Sequence, residues 1–208
     1  MTTLLKIDVS SRGSLSISRT LGEQFVLDWR KNHPEGTVVP RDLAATALPF
    51  VDLNWILGAF TAEESQSAEA KAAIAVSDRL VAELKSCDQI LLTTPMYNFG
   101  VPSILKAWID HVVRSGKTFS AHADGSYSGL LGGKKATVIV SSAGKYEKGT
   151  PTEGFNFVSP YLKYIFGMMG ITDITFIEAG ATYTVDRAMT TLADYVQAIL
   201  PSVAAAAK

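Results

Sequence analysis

The sequence predicts an α/β fold in which helices cover both faces of a five-stranded parallel sheet, forming a three-layer, doubly wound sandwich. Short apolar runs bounded by turn-forming residues alternate along the chain with longer segments of helical periodicity, which is the pattern of β-α-β units. The 208 residues, 47% of them hydrophobic and only one a cysteine, are enough for a core without cross-links. We therefore expect one domain that spans residues 1–208.

The predicted strands are the apolar runs that turn residues separate. They are Leu4–Val9, Thr37–Asp42, Gln89–Thr94, Ala136–Ser142 and Ile174–Ala179. Most are apolar at consecutive positions, as expected for strands that are covered on both faces. The second contains Pro40, which has no N–H to donate to a neighbouring strand, so we expect this strand at an edge of the sheet.

The predicted helices fill the intervals between the strands. In the first, apolar residues recur every four positions from Ile17 to Trp29, with charged residues between them. A helical turn is expected within Val51–Phe60, and a longer helix follows with Ala73, Val76, Leu80 and Leu84 on one face. Pro102–Arg114 is the next predicted helix. The last two are a helix that begins with Ser159 as N-cap and Pro160 and ends near Met169, and a closing helix capped by Asp186. Residues 118–133 and 143–158 are expected to be long loops that wall a pocket.

A ligand of such a sheet binds beyond the carboxyl ends of the strands, where the strand order reverses. The loop after the first strand, residues 10–18, contains five hydroxyl groups and leads directly into a helix. Hydroxyls and free amides at a helix N-terminus suit a phosphate group. The alternative is that Ser16 or Ser18 only caps the helix and the other serines are solvated.

Residues 94–102, after the third predicted strand, form an unusual loop because Met96, Tyr97 and Phe99 lie between two prolines. A flat aromatic ligand suits such a loop, with backbone amides near Asn98 addressing the ring edge. The alternative is that the aromatic side chains turn inward and extend the core. Ser141–Gly144, after the next strand, is small enough for close approach of the backbone to a ligand. Together the loops predict a mononucleotide with a planar ring, namely FMN.

Other chemistries fit the sequence less well. A Gly-x-Gly-x-x-Gly motif is missing after the first strand, and Gly132–Lys135 resembles a P-loop only superficially because it precedes a strand. The three histidines have no carboxylates at metal-ligand spacing, so no metal site is expected. No histidine follows His122, which leaves a Ser-His-Asp hydrolase without its base. Cys87 is expected to be a buried, inert thiol.

Charge and cysteine content narrow the partners and the setting. The net charge of -1 provides no field for nucleic acid or an anionic membrane, so a small-molecule partner is expected. The chain has one cysteine and no apolar run of 18 residues, and Met1–Ile7 does not resemble the start of a signal peptide. These observations favour a cytoplasmic protein.

The motifs as a set closely resemble the bacterial FMN-dependent NADH azoreductase and quinone reductase family over nearly the whole chain. The resemblance rests on Ser10, Ser16-Ile17-Ser18, Pro95–Phe99, Ser141–Gly144, Asp42–Ala45, Gly116–Phe119, Gly132–Lys135, Pro160–Leu162 and Gly170–Asp173. It implies a flavodoxin-like fold, a homodimer with the flavin near the subunit interface, and two-electron transfer by a ping-pong route from NADH to quinones or azo compounds. It further implies that Ser10, Ser16, Ile17 and Ser18 hold the phosphate, that Met96, Tyr97, Asn98 and Phe99 hold the isoalloxazine, and that Ser141, Ser142, Ala143 and Gly144 meet its pyrimidine side.

FMN itself would carry the chemistry, so no catalytic acid or base is expected. Trp55 and Phe60 either join the core or cap the flavin of a neighbouring subunit at the interface. The main rival is a non-catalytic, flavodoxin-type electron carrier, which the balanced charge disfavours because carriers dock through surfaces of one sign. A flavin-free domain on the same fold remains a third reading.

Overall fold

A parallel sheet forms the centre of the molecule. In the computed structural model, which describes all 208 residues, the strands are β1 (Thr3–Asp8), β2 (Thr37–Asp42), β3 (Gln89–Pro95), β4 (Phe119–Ala121), β5 (Tyr127–Gly129), β6 (Lys135–Ser141) and β7 (Asp173–Ala179). Five of them form the main sheet in the order β2-β1-β3-β6-β7, with every pair parallel. The predicted fold class and the edge position of the second strand are confirmed. The strand order reverses between β1 and β3, whose carboxyl ends flank the crevice where such sheets bind ligands.

Helices cover both faces of this sheet. They are α1 (Ile17–Asn32), α2 (Leu53–Phe60), α3 (Ala68–Ser86), α4 (Ser103–Val112), α5 (Ser159–Met168), α6 (Tyr183–Asp186) and α7 (Leu192–Ala206). Helices α1 and α7 share one apolar core with Leu4, Leu91 and Ile139 of the strands, and α3, α4 and α5 share the other with Leu5 and Leu92. None of the helices has the length and apolar content needed to cross a membrane.

Two of the predicted helix caps are wrong. Ser159 is the first residue of α5, and its amide and that of Val158 both donate to Oδ1 of Asn156 at 3.0 Å. Helix α7 is capped by Thr191, whose hydroxyl accepts a first-turn amide at 3.1 Å, whereas Asp186 ends α6. In both cases another polar residue within a few positions matches the same local pattern, so sequence spacing alone does not identify the cap.

Residues 118–133 are not the irregular loop that the sequence predicts. They contain the antiparallel hairpin of β4 and β5, which lies outside the main sheet. The hairpin is closed by Asp124, whose Oδ1 accepts the amide of Ser126 at 2.9 Å. Strands of three residues are too short to display a period-2 pattern, which explains why the sequence does not predict them.

The two aromatic residues left open between core and interface separate in the structure. The ring of Trp55 is buried and its Nε1 donates to Nδ1 of His111 at 3.1 Å. The guanidinium of Arg114 lies 5.3 Å from the centre of the same ring. Phe60, at the end of α2, is exposed. Trp55 is therefore a core residue, and Phe60 lies on the surface.

Candidate active site

The loops after β1, β3, β6 and β7 surround one cavity of about 220 Å³ at the carboxyl edge of the sheet. Its lining residues are Ser10, Arg12, Ser16, Ile17, Pro95, Met96, Tyr97, Ser141, Ala143, Thr182 and Asp186. The predicted convergence of three separate loops on one site therefore occurs in the folded chain. The fourth loop, after β7, was not predicted to take part.

At one end of the cavity lies the N-terminus of α1. Oγ of Ser16 accepts the amide of Arg19 at 3.3 Å, so this serine caps the helix as well as lining the cavity. The amides of Ile17 and Ser18 have no acceptor in the chain, because they precede the first residues that can bond within the helix. These donors, the neighbouring hydroxyls and the helix dipole together favour an anion at this end.

Ser10 and Ser18 complete this end in different ways. Ser10 is buried, and its Oγ accepts the amide of Arg12 at 3.3 Å, which shapes the loop. Ser18 does not line the cavity, but its fully buried hydroxyl lies 3.2 Å from Oγ of Ser16. Ser18 therefore orients the capping hydroxyl from behind.

An ion pair forms the rim of the cavity. Nη2 of Arg12 lies 3.1 Å from Oδ1 of Asp186, and both residues line the cavity and are exposed. They join the loop after β1 to helix α6. Because no other lining residue is acidic or basic, this pair provides the only side-chain charges at the site.

The second end of the cavity is the loop after β3. Tyr97 and Gly100 exchange two backbone hydrogen bonds of 3.0 Å across a tight turn. The two residues between them, Asn98 and Phe99, have φ angles of 47° and 68°. Positive φ is common for asparagine but costly for a bulky residue such as phenylalanine, at about 1–3 kcal/mol. Backbone strain of this kind clusters at functional sites, and here it presents Tyr97 half-exposed at the rim.

Phe99 is partly packed into the protein and partly exposed, so it combines the two alternatives that the sequence left open, core packing and contact with a ligand. Its ring packs edge-on against Tyr146, with the ring centres 5.8 Å apart, and at a tilt of 44° against Phe155, with the centres 5.7 Å apart, while 45% of the residue stays exposed. Its carbonyl accepts the amide of Phe157 at 3.0 Å. The strained turn is therefore supported by the 143–158 loop, of which only Ala143 lines the cavity.

The small-residue loop after β6 joins the other loops into a continuous surface. The carbonyl of Ser141 accepts the amide of Met96 at 2.7 Å, which ties it to the loop after β3. Ser142 is buried, and its hydroxyl donates to the carbonyl of Gly144 at 2.9 Å. The same carbonyl accepts the amide of Ala181, after β7, at 2.9 Å. The side chain of Ser142 is thus structural, and the backbone of this loop faces the site.

Two half-buried carboxyl groups, Glu147 in the 143–158 loop and Glu178 on β7, lie close together. Burial raises the pKa of Glu178, and the nearby carboxylate of Glu147 raises it further. Asn156 and Ser159 donate to Oε1 of Glu178, whereas Oε2 of Glu147 is buried without a partner. Neither carboxyl lines the cavity, so Glu178 serves to hold Asn156 and Ser159 in place and has no assigned part in the reaction.

Of the predicted site residues, seven line the cavity, namely Ser10, Ser16, Ile17, Met96, Tyr97, Ser141 and Ala143. The other five, Ser18, Asn98, Phe99, Ser142 and Gly144, lie in the same loops without lining it. The sequence reasoning missed four lining residues, namely Arg12, Pro95, Thr182 and Asp186. Arg12 is the only cation of the serine-rich loop, and Thr182 follows a strand that ends at the same edge of the sheet. Both signals were available before the fold was known.

The arrangement is suited to binding and poorly suited to acid–base catalysis. Its lining contains one carboxylate, which is paired with arginine, and no histidine. No group of three or more acidic, histidine or cysteine side chains in the chain could hold a metal ion. Cys87 is buried just before the amino end of β3, the opposite end of that strand from the site, and burial raises the pKa of its thiol to about 11.

Comparison with known proteins agrees with this geometry. A family profile described as "Flavodoxin-like fold" matches residues 2–201. An FMN-dependent NADH:quinone oxidoreductase of Acidobacterium capsulatum is 45% identical over 182 residues, which cover 88% of this chain and 87% of that protein. An FMN-dependent NADH:quinone oxidoreductase 2 of Jannaschia sp. is 41% identical over 208 residues, which cover 100% of both chains.

A solved structure extends the likeness to three dimensions. The crystal structure of an azoreductase from Bacillus anthracis str. Sterne superposes with a TM-score of 0.88 at 27% identity, over 100% of this chain and 99% of that chain. This protein therefore belongs to the flavodoxin-like fold family and, within it, to the FMN-dependent NADH:quinone oxidoreductases.

Proposed function

We propose that residues 1–208 act as one FMN-binding domain that uses NADH to reduce quinones and aromatic azo compounds. The observation that carries this proposal is the cavity of about 220 Å³, which joins an anion-binding helix terminus to an aromatic, strained loop. The phosphate would be held by Ser10, Ser16, Ile17 and Ser18, the ring by Met96, Tyr97, Asn98 and Phe99, and the pyrimidine edge by Ser141, Ser142, Ala143 and Gly144.

The donors that are present fit this cofactor. Two amides without acceptors and the hydroxyls of Ser10 and Ser16 are available for a phosphate group, and Arg12 adds a positive charge at the rim. The cavity is smaller than a whole flavin nucleotide, so the ring would extend past it beside half-exposed Tyr97. An exposed ring face is what a nicotinamide and an acceptor need in order to reach it.

FMN, when bound, supplies the redox chemistry by accepting a hydride from NADH and passing two electrons to the acceptor. The Met96–Phe99 turn would orient the ring and supply backbone donors to its edge. A nicotinamide and an acceptor that both stack on the ring beside half-exposed Tyr97 would occupy the same space in turn. This shared space supports a ping-pong sequence.

We further propose that the protein is a homodimer. Leu53, Ile56, Leu57 and Phe60 are exposed on one face of α2, at the spacing of a single helical stripe. A mostly apolar cavity of about 300 Å³ lies beside this stripe, between α2 and the β4-β5 hairpin. A second copy of the chain would cover this surface.

The test is anaerobic spectroscopy of the purified protein followed by steady-state kinetics. We expect bound flavin that chromatography identifies as FMN, loss of its visible absorbance with one equivalent of NADH, and recovery with a quinone. Parallel double-reciprocal plots at several quinone concentrations would support the ping-pong sequence. A flavin that NADH does not reduce would favour the electron carrier, and failure to bind FMN would overturn the proposal.

A further inference from the structure

Arg19 occupies an electrostatically unfavourable position. It lies in the first turn of α1, where the positive end of the helix dipole and free amides disfavour a cation. Its side chain is only 16% exposed, so it is not simply solvated away from the helix. The contacts of the Arg19 side chain must therefore offset its unfavourable interaction with the helix dipole.

Those contacts connect three parts of the phosphate end. Nε of Arg19 donates to the carbonyl of Ser10 at 2.8 Å. Nη1 and Nη2 donate to the two oxygens of Asp42 at 2.9 and 2.6 Å, a bidentate geometry. Asp42 ends β2, Ser10 belongs to the loop after β1, and Arg19 itself belongs to α1. One planar guanidinium thus fixes the distance between the loop and the helix terminus.

A second layer of buried groups holds this arrangement from below. Asp8, at the end of β1, lies 3.7 Å from Nη1 of Arg19 and accepts a hydrogen bond from Lys6 at 2.5 Å. Its other oxygen accepts the hydroxyl of Thr93 on β3 at 2.7 Å. The hydrogen bond from Arg19 lowers the pKa of Asp42, so the pair stays ionised at neutral pH. The strands on both sides of the crevice are therefore linked to Arg19.

We propose that Arg19, paired with Asp42, is a positioning residue that sets the phosphate-binding geometry of Ser10 and the first turn of α1. It does not line the cavity, and the nitrogens of its guanidinium donate to Ser10 and Asp42. The inference rests on the proposed FMN function. It predicts that Arg19 determines how strongly the chain prefers FMN over riboflavin, which lacks the phosphate.

The chain offers a matched control on the same strand. Arg41, beside Asp42 on β2, forms an equally bidentate pair with Glu83 of α3, with Nε to Oε2 at 2.9 Å and Nη2 to Oε1. This pair is also partly buried, but it joins β2 to α3 rather than to the loop after β1. Arg41→Gln therefore removes a similar salt bridge without altering the contact to Ser10.

The experiment measures the dissociation constants of FMN and riboflavin for flavin-free wild type, Arg19→Lys, Asp42→Asn and Arg41→Gln by flavin fluorescence. Arg19→Lys keeps the charge but loses the planar fork, and we expect FMN binding to weaken about tenfold or more, with riboflavin binding unchanged. Asp42→Asn should likewise weaken FMN binding and leave riboflavin binding unchanged, which tests the inference even if Arg19→Lys fails to fold. Arg41→Gln should lower only the melting temperature.

The possible outcomes separate this inference from the proposed function. The inference is overturned if Arg19→Lys and Asp42→Asn keep the wild-type preference for FMN, or if they weaken FMN and riboflavin equally, which would indicate a general structural role. Wild type that does not prefer FMN over riboflavin would instead overturn the proposed phosphate site, and the positioning role with it.

Discussion

Ser16 has two roles that one substitution can separate. Its Oγ caps α1 through the amide of Arg19, and the same atom lines the cavity at its anion-binding end. Loss of an N-cap costs about 1 kcal/mol, which corresponds to about 2–4 °C in melting temperature for a chain of this size. Loss of a hydrogen bond to a charged phosphate costs about 1.5–3 kcal/mol, or roughly ten- to a hundredfold in affinity. We therefore expect Ser16→Ala to lower both quantities by these amounts.

The matched control for Ser16→Ala is Ser67→Ala. Ser67 caps α3 by accepting the amide of Ala70 at 3.2 Å, and it lies outside the cavity. Thermal unfolding should give similar losses for both variants, whereas FMN titration should change only for Ser16→Ala. Equal FMN affinity in wild type and Ser16→Ala, at the expected loss of stability, would refute the placement of the phosphate at α1.

Three further predictions concern the scaffold. A Cβ on Gly22 would lie 2.6 Å from Cγ2 of Thr93, so Gly22→Ala should lower the unfolding free energy by about 1–2 kcal/mol. A Cβ on Gly167 would have no atom within 4 Å, so Gly167→Ala should raise the unfolding free energy. Urea unfolding measures both changes. Because burial raises the pKa of Glu178, the native state binds the proton of this carboxyl more tightly than the unfolded state does. The free energy of unfolding should therefore fall as pH rises through that pKa. Urea unfolding across pH should show a flatter decline for Glu178→Gln. Burial raises the pKa of Cys87 to about 11, so a thiol reagent at neutral pH should modify unfolded but not native protein.

The sheet and the main loops could be predicted because their signals are local. Each core strand is covered on both faces, which produces an apolar run that is visible without knowledge of its neighbours. The serine-rich loop and the Met96–Phe99 turn are unusual for loops, and the strand-order rule assigns both to the same edge. Composition and order along the chain were therefore sufficient for the fold and the outline of the site.

The remaining features depend on contacts between distant segments. Arg12 lines the rim because Asp186 lies opposite it, 174 positions away in the sequence. Trp55 is a core residue because His111 and Arg114 enclose it. No periodic pattern encodes such pairings, since each one exists only after the helices and strands have packed.

The most direct test of the account is the position of the phosphate on the folded chain. Backbone amide shifts of isotope-labelled, flavin-free protein should be recorded during titration with FMN and with riboflavin. We predict that both ligands shift the amides of Met96 and Tyr97, and that only FMN shifts those of Ile17 and Ser18, which have no acceptor in the chain. Shifts that are the same for both ligands at Ile17 and Ser18, or that cluster at the α2 cavity instead, would contradict the account.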